Sequence, residues 1–357
     1  MGEMTGKGAV RFGFVGTGRR AQDHLQIVKT LKHASIKALC DVNESSLKEA
    51  QSRYSGTTYT SLDEMLEKEK LDAVVISTPT PLHVPQSLKC LAKGLHVLLE
   101  KPIALDLSEV KCLLRAVKKS DRLVIVGFQA RYSDVVEKIK EKVDKDTLSM
   151  IAGYWYWTVP LIKWIAGRSQ GGGQMIDQTI HLIDLTRFIT ESEVEQVYAA
   201  YTERGRNTEE DKALGFANWA SYAVTLKFRN NVIGNLYSTY ALYPRVFDAK
   251  VKATDHDRSL AESAVTMDVI CRELLIRYVH ASEARVYRQG NMTEVYRRAH
   301  DPTERMDTTF VEAILTGDNR QLRTPYEDSC KTMAVALAAN ESAITSKAVS
   351  LDKSLSA

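Results

Sequence analysis

The sequence predicts two successive domains: an α/β domain on a doubly wound parallel sheet, then an α+β domain on an open, mainly antiparallel sheet. Three observations predict this. Short apolar runs of strand type alternate with helical patterns from Val10 to Val126. Two of those runs stop abruptly, one at Gly16-Thr17-Gly18-Arg19-Arg20-Ala21 and one at Glu100-Lys101-Pro102. From Val194 onward the pattern becomes two-residue alternation broken by polar turns, which suits antiparallel strands. A chain of 357 residues is long enough for two domains, placed here at 1–127 and 128–357, with the last helices free to pack back on the first.

Composition excludes several classes. Hydrophobic residues make up 44% and charged residues 26%, the balance of a globular chain with a sizeable core. A net charge of +3 is too small for a protein whose main partner is nucleic acid. The five cysteines, Cys40, Cys90, Cys112, Cys271 and Cys330, are odd in number and contain no C-x-x-C. They read as reduced thiols of a cytoplasmic protein, not as a disulfide framework or zinc site. No apolar leader or membrane-length run is present, so no membrane partner is expected.

Taken in order, Val10 to Val15 is apolar enough for a buried strand and runs into the glycine motif; a helix follows through Leu25, Ile27, Val28 and Leu31. In G-x-G-x-x-A, Gly16 permits a tight turn, Gly18 lets the backbone approach a pyrophosphate, and Ala21 allows close packing of helix on strand. The helix N-terminus offers free N–H groups to phosphates. The next strand, Ile36 to Cys40, ends at Asp41, where a carboxylate can accept the ribose hydroxyls of NAD and repel the 2′-phosphate of NADP. Asp72 to Ser77 is a further strand, ending in a loop stiffened by Pro79 and Pro81. A helix from Pro85 to Lys93 leads to the strand before Glu100-Lys101-Pro102, and a helix from Ser108 to Lys119 leads to a strand at Leu123 to Val126. Proline cannot donate to a ladder, so Pro102 marks a strand exit and places Lys101 at the strand's carboxyl end, the edge where open α/β sheets bind ligands. A lysine there reads as a fixed cation or a proton-transfer group, and taken alone also as a solvated loop residue.

In this order, Gly16 to Ala21, Asp41, Ser77-Thr78-Pro79 with His83, and Glu100-Lys101-Pro102 resemble the signature of the Gfo/Idh/MocA oxidoreductases, the family of glucose–fructose oxidoreductase and inositol dehydrogenase. The resemblance runs over residues 10 to 190. It implies a Rossmann domain that binds NAD in preference to NADP. It also implies cofactor contacts from Gly16, Thr17, Gly18, Arg19, Arg20, Asp41, Ser77, Thr78, Pro79, His83, Glu100, Lys101 and Gln129.

After Gly127 the pattern changes. Gln129-Ala130-Arg131 resembles the family's crossing into its substrate domain, while the plain reading of Arg131 is a surface arginine in a linker. A helix is expected from Ser133 to Val143. In Met150 to Val159, alternation puts Tyr154 and Tyr156 on one face and Trp155 and Trp157 on the other, surfaces that suit sugar rings, a core or a subunit interface. Trp164 and Arg168 are candidates to reach a substrate. Gly171-Gly172-Gly173 is a loop with so little bulk that a neighbour can approach closely. A largely buried helix from Gln174 to Thr190 carries Asp177, His181 and Asp184 at i, i+4 and i+7, a polar stripe that needs partners. Asp177 and His181 alone could also begin a zinc site, but no further ligand cluster completes one, so no metal is expected.

G-G-G-x-x-x-D-x-x-x-H resembles the family's substrate-domain motif, with Thr179 where many members carry glycine. The resemblance implies that Lys101, Asp177 and His181 are catalytic: His181 takes the hydroxyl proton, Lys101 stabilises the alkoxide, and Asp177 orients the substrate or helps tune the pair. Arg131, Trp164 and Arg168 join these three as substrate contacts. The implied activity is NAD-dependent oxidation of a sugar or polyol hydroxyl carbon by a homodimer or homotetramer. An NAD-dependent glycoside hydrolase acting by transient oxidation, and a non-catalytic dinucleotide sensor, fit the same motifs. The remainder reads as a strand at Val194 to Tyr201, a mobile polar loop at 203–212, a hairpin around Asn230-Asn231, two strands within 274–288, and closing helices at 307–315 and 327–347. Residues 245–270 carry no readable pattern.

Overall fold

The computed structural model describes residues 8–156, 163–206, 208–213, 215–242 and 264–351. The chain divides into two compact units, Met1–Tyr132 with His300–Cys330, and Ser133–Ala299 with Lys331–Ala357.

The first unit is built on six parallel strands: β1 (Val10–Val15), β2 (Ala34–Cys40), β3 (Thr57–Tyr59), β4 (Ala73–Ile76), β5 (His96–Leu99) and β6 (Val124–Val126). Their order is β3-β2-β1-β4-β5-β6, the doubly wound sheet the sequence predicts. The winding reverses between β1 and β4, which opens a crevice above the carboxyl ends of those two strands. Strand β3 and the helices Glu44–Arg53 and Leu62–Lys68 lie where no element was expected. The first of these helices buries only Leu47 and Ala50, too few apolar positions to read as a face.

Phe12 and Phe14 of β1 meet Leu25 and Val28 of the helix Arg19–Thr30 and Met306 and Phe310 of the helix Pro302–Thr316. Phe12 and Phe310 have ring centroids 6.4 Å apart. Each such buried ring contributes about 2 kcal/mol. The late helix starts at Asp301, whose carboxylate accepts the Thr303 N–H, and stops at Gly317 in the left-handed region.

The second unit holds β7 (Met150–Tyr156), β8 (Val194–Thr202), β9 (Ser221–Phe228), β10 (Ile233–Thr239), β11 (Val265–Cys271), β12 (Leu274–Val279), β13 (Glu283–Arg288), β14 (Asn291–Arg297) and β15 (Val349–Ser350). They form one sheet in the order β14-β13-β12-β11-β7-β10-β9-β8-β15. Only β7 and β10 run parallel among these neighbours; the other pairs are antiparallel. One face is covered by the helices Ile180–Thr190 and Tyr326–Thr345: Tyr222 donates to the Ala339 carbonyl at 2.5 Å, and the Ser342 hydroxyl accepts the Ala199 N–H at 2.9 Å. The opposite face leaves Tyr156, Tyr198 and Tyr237 exposed.

Two expectations are corrected. The polar stretch 203–212 is not a free loop. It folds into a short helix, Glu209–Ala213, pinned by buried Asp211, which accepts from Arg206 at 2.5 Å and from Thr208. The single polar stripe on the helix after the glycines is also split. Residues Met175–Thr179 form one wide π-helical turn before the α-helix Ile180–Thr190. Asp184 turns into the interior and accepts from the Thr332 hydroxyl at 2.8 Å. Trp157 lies outside the described residues.

Candidate active site

In the first unit the candidate residues gather at the carboxyl edge of the sheet. Gly16 has φ +88°, and a Cβ there would lie 2.9 Å from the Ser77 carbonyl group, so the turn after β1 and the loop after β4 touch only because residue 16 is glycine. Gly18 is exposed with nothing within 4 Å of where a Cβ would stand. The helices starting at Glu44, Leu62, Leu107 and Pro302 each have a side chain capping their N–H groups. The helix behind Gly18 has none. Its open end leaves donors for an anion, which is the cradle a pyrophosphate needs.

Thr17 donates its N–H at 2.7 Å and its hydroxyl at 3.0 Å to one Asp41 oxygen; the Asn43 N–H holds the other at 2.8 Å. Arg19 is exposed beside this turn. Ser77 and Thr78 are half-buried and Pro79 is exposed. The Gln129 Oε1 is buried without a hydrogen-bond partner among the described residues, an acceptor awaiting a donor. These features fit a dinucleotide: an uncapped helix end, an open glycine, an oriented carboxylate and an orphaned acceptor.

His83 and Glu100 sit deeper. His83 is buried, with Nδ1 2.7 Å from the Pro102 carbonyl and Nε2 2.7 Å from the Thr78 carbonyl. It ties the loop after β4 to the loop after β5. Burial pushes its pKa below the ordinary value, so the neutral ring donates to one carbonyl at a time. Glu100 is 3% exposed; it accepts from Arg20 Nε and from His24, and its other oxygen takes the Lys101 N–H at 3.2 Å. Burial opposes its charge, but Arg20 and His24 overcome that and hold its pKa well below the carboxylate range. Lys101 is half-buried and its bond to Pro102 is cis. Arg131 is no surface arginine. It is buried and donates to Asp328 at 2.5 Å and to the Arg323 carbonyl at 2.9 Å.

In the second unit, alternation along β7 sorts the aromatic residues as expected. Tyr154 and Tyr156 stack on one face with centroids 4.3 Å apart. Trp155, on the other, stacks on His181 at 5.6 Å and meets His280 at 5.1 Å. His181 is buried, its imidazole lying nearly parallel to the indole. Asp177 lies in the π-helical turn, facing the buried Tyr240 phenol. Burial first and the Asp177 charge second push that phenol well above its ordinary pKa, so it stays protonated. Burial, helped by Arg298, pushes His280 down to about 4, so it is neutral.

The three glycines serve the loop itself. Gly172 and Gly173 are left-handed, and a Cβ at Gly171 would lie 2.8 Å from the Ile165 backbone. Arg168 lies 4.3 Å over the Trp219 ring, which stacks on Tyr201. Trp164 is in the helical turn Lys163–Ala166, and its side chain lies outside the description. Among the described residues no three metal-ligating side chains gather. Sequence reasoning missed His24, Asp307, Tyr240 and His280. Only His24 left a signal, as a histidine on the apolar face of Leu25 and Val28.

A Rossmann sheet with an open glycine cradle, followed by a domain with an imidazole and a carboxylate one helical turn apart, defines a dinucleotide-dependent oxidoreductase. The chain matches the oxidoreductase family model with the NAD-binding Rossmann fold over residues 10–128 and the GFO/IDH/MocA C-terminal domain over residues 138–255, and it belongs to that family. It is 28% identical to myo-inositol 2-dehydrogenase of Thermotoga maritima, over 63% of this chain and 67% of that one. It is 26% identical to an uncharacterised oxidoreductase of Bacillus subtilis over 95% and 96%. The WlbA dehydrogenase of Bordetella pertussis, solved with NADH and UDP-GlcNAcA, shares the fold at a TM-score of 0.76 and 22% identity, covering 96% of this chain and 99% of that one. The chain is thus an NAD-binding enzyme of the dehydrogenase type. Among the described residues no helix is long and apolar enough to cross a membrane.

Proposed function

We propose that the protein oxidises a secondary alcohol or anomeric carbon of a sugar or polyol, inositol-like in its run of hydroxyls, with NAD. The observation that carries this reading is the second unit's pairing of a buried imidazole on an indole with a carboxylate one turn earlier. Aromatic faces suit the C–H faces of such rings, and the carboxylate suits their hydroxyls. The name of the Thermotoga maritima relative supports the substrate class.

Gly16, Thr17, Gly18, Arg19 and Arg20 would hold the pyrophosphate, Asp41 the adenosine ribose, and Ser77, Thr78, Pro79 and Gln129 the remaining length. The dinucleotide, when bound, supplies the acceptor for the hydride. His181 takes the hydroxyl proton as a general base, the task imidazoles most often perform. The Lys101 ammonium stabilises the developing alkoxide. Asp177 orients the substrate, with Tyr240 as its fixed neighbour. Arg131, Trp164 and Arg168 are the further substrate contacts, Arg131 with part of its fork already held by Asp328. His83 and Glu100 serve the cofactor through the loops they tie.

The enzyme works as a homodimer or homotetramer, a reading supported by the exposed tyrosines on the open sheet face. Five cysteines, with no disulfide among the described residues, support a reducing compartment such as the cytoplasm. A panel of inositols and aldoses with NAD, followed at the NADH absorbance, tests the activity. NADH formation with at least one polyol or sugar is expected, and none across the panel would overturn the reading.

A further inference from the structure

A chain of alternating charge runs through the interior of the first unit. Asp307, on the helix Pro302–Thr316, lies 2.8 Å from His24 Nδ1. His24 Nε2 lies 2.9 Å from Glu100 Oε1, and the Arg20 Nε donates to that same oxygen at 2.9 Å. His24, Glu100 and Asp307 are 0%, 3% and 2% exposed, so water does little to soften these charges. Burial pushes the Asp307 carboxyl up, and the charge and hydrogen bond of His24 oppose that; with Asp307 ionised like Glu100, His24 has at each ring nitrogen a carboxylate that can only accept. Both nitrogens must therefore donate, which makes the ring an imidazolium. Asp307, His24, Glu100 and Arg20 then alternate in sign and sum to zero, the condition under which buried charge is tolerated. The groups facing the ring are Asp307 from the late helix, Glu100 from the end of β5 and Arg20 one turn earlier; Lys101 and His83 act on it through Glu100. Burial opposes the ring's charge, but the two carboxylates outweigh it and push His24 up to about 9.

The far end of this chain is the peptide that carries Lys101. One Glu100 oxygen is held by His24 and Arg20, and the other receives the Lys101 N–H at 3.2 Å. The Glu100 N–H is anchored on the Ile76 carbonyl at 2.9 Å. A carboxylate fixed at both ends fixes the next backbone unit.

We propose that His24 is a positioning residue for Lys101: as a buried imidazolium braced by Asp307, it holds the Glu100 carboxylate in the place that sets the Lys101 backbone. The role assigned to Lys101 is that of the proposed function; the position of its backbone does not depend on it. A late helix would then serve the site without touching any ligand.

The test uses the full chain. With 15N-labelled histidine, long-range 1H–15N spectra should show both His24 nitrogens protonated from pH 6 to 8. A single protonated nitrogen at pH 7 would overturn the assignment. Hydrogen exchange of residues 96–104, measured by mass spectrometry, should accelerate tenfold or more in Asp307→Asn and in His24→Gln, with exchange of β1 unchanged. Unchanged exchange at 96–104 in both variants would overturn the positioning role, whatever becomes of polyol oxidation. If His24→Gln fails to fold, the near-isosteric Asp307→Asn carries the test. With an oxidised substrate in hand, Asp307→Asn should lower kcat tenfold while the KM for NAD stays within twofold; a raised KM with kcat kept would assign the network to the cofactor instead.

Discussion

A methyl group at Gly127 would lie 2.5 Å from the Glu100 Oε1 atom. The backbone at Gly127 is not left-handed, so alanine is conformationally acceptable there and the clash with Glu100 is the whole effect. Gly127→Ala should therefore push the carboxylate off its partners at a cost of about 1–3 kcal/mol, the range for overpacking. Urea denaturation reads the loss. A variant as stable as the parent would mean that Glu100 is free to move.

The charge on His24 gives stability a pH dependence of defined sign. Its pKa is raised to about 9 in the folded protein, against about 6.5 for an ordinary histidine. A raised histidine contributes its full stabilisation below pH ~6.5 and loses it as pH climbs through the folded value, a difference of ~3 kcal/mol. Denaturation midpoints should fall from pH 7 to pH 9.5, and His24→Gln should flatten that slope. A flat midpoint in the parent protein over this window would contradict the buried imidazolium.

The parts legible in the sequence were those whose physics is local. Gly16 announces a turn between strand and helix because its left-handed backbone and the Ser77 carbonyl beside it exclude a side chain, and Gly18 and Ala21 complete the spacing. Pro102 announces a strand exit because it lacks an N–H. Asp307 gave no such sign: it sits 283 residues from His24, and only the closed fold brings them together. The π-helical turn at Met175–Thr179 was hidden for another reason. Inserting one residue into a helix leaves the spacing of apolar residues nearly intact, while it rotates Asp177 relative to Asp184. The short helix at Glu209–Ala213 reads as a solvated charge run; among its described side chains Asp211 alone is buried, satisfied by Arg206 and Thr208.

Asp41 should decide cofactor choice. Thr17 and Asn43 hold both its oxygens, so the carboxylate is oriented before any ribose arrives. NAD should bind more tightly than NADP in side-by-side fluorescence titrations. Asp41→Ala should weaken NAD about tenfold, the loss of one or two charged hydrogen bonds, and narrow the gap between the two cofactors. Tighter NADP binding by the parent protein would remove Asp41 from this role.

Lys101→Ala should lower kcat by about a hundredfold or more while leaving NAD affinity within a few-fold. On the proposed function the pyrophosphate donors belong to the glycine turn, whereas the lysine charge acts on the oxygen of the transition state. Steady-state kinetics with calorimetric NAD titration separates the two. A variant with normal kcat would take Lys101 out of the mechanism, and one that no longer binds NAD would assign the lysine to the cofactor.

His181 carries the last expectation. To accept a proton it must be neutral, so kcat/KM should rise with pH through one ionisation and then level off. The indole of Trp155 lies nearly parallel to the ring at 5.6 Å and fixes its plane, and His280 beside them is neutral throughout this range because burial holds it down to about 4. One limb, not two, should therefore be seen on the acid side. His181→Ala should abolish that limb and lower kcat about a hundredfold or more, as expected for loss of a general base. Trp155→Phe keeps an aromatic wall, so it should leave the ionisation in place while raising KM for the substrate a few-fold. If His181→Ala retains the parent pH profile, the proton goes elsewhere, and Lys101 is the next group to test. If His181→Ala and His181→Asn both fail to fold, the histidine belongs to the core, and its stacking on Trp155 is packing alone.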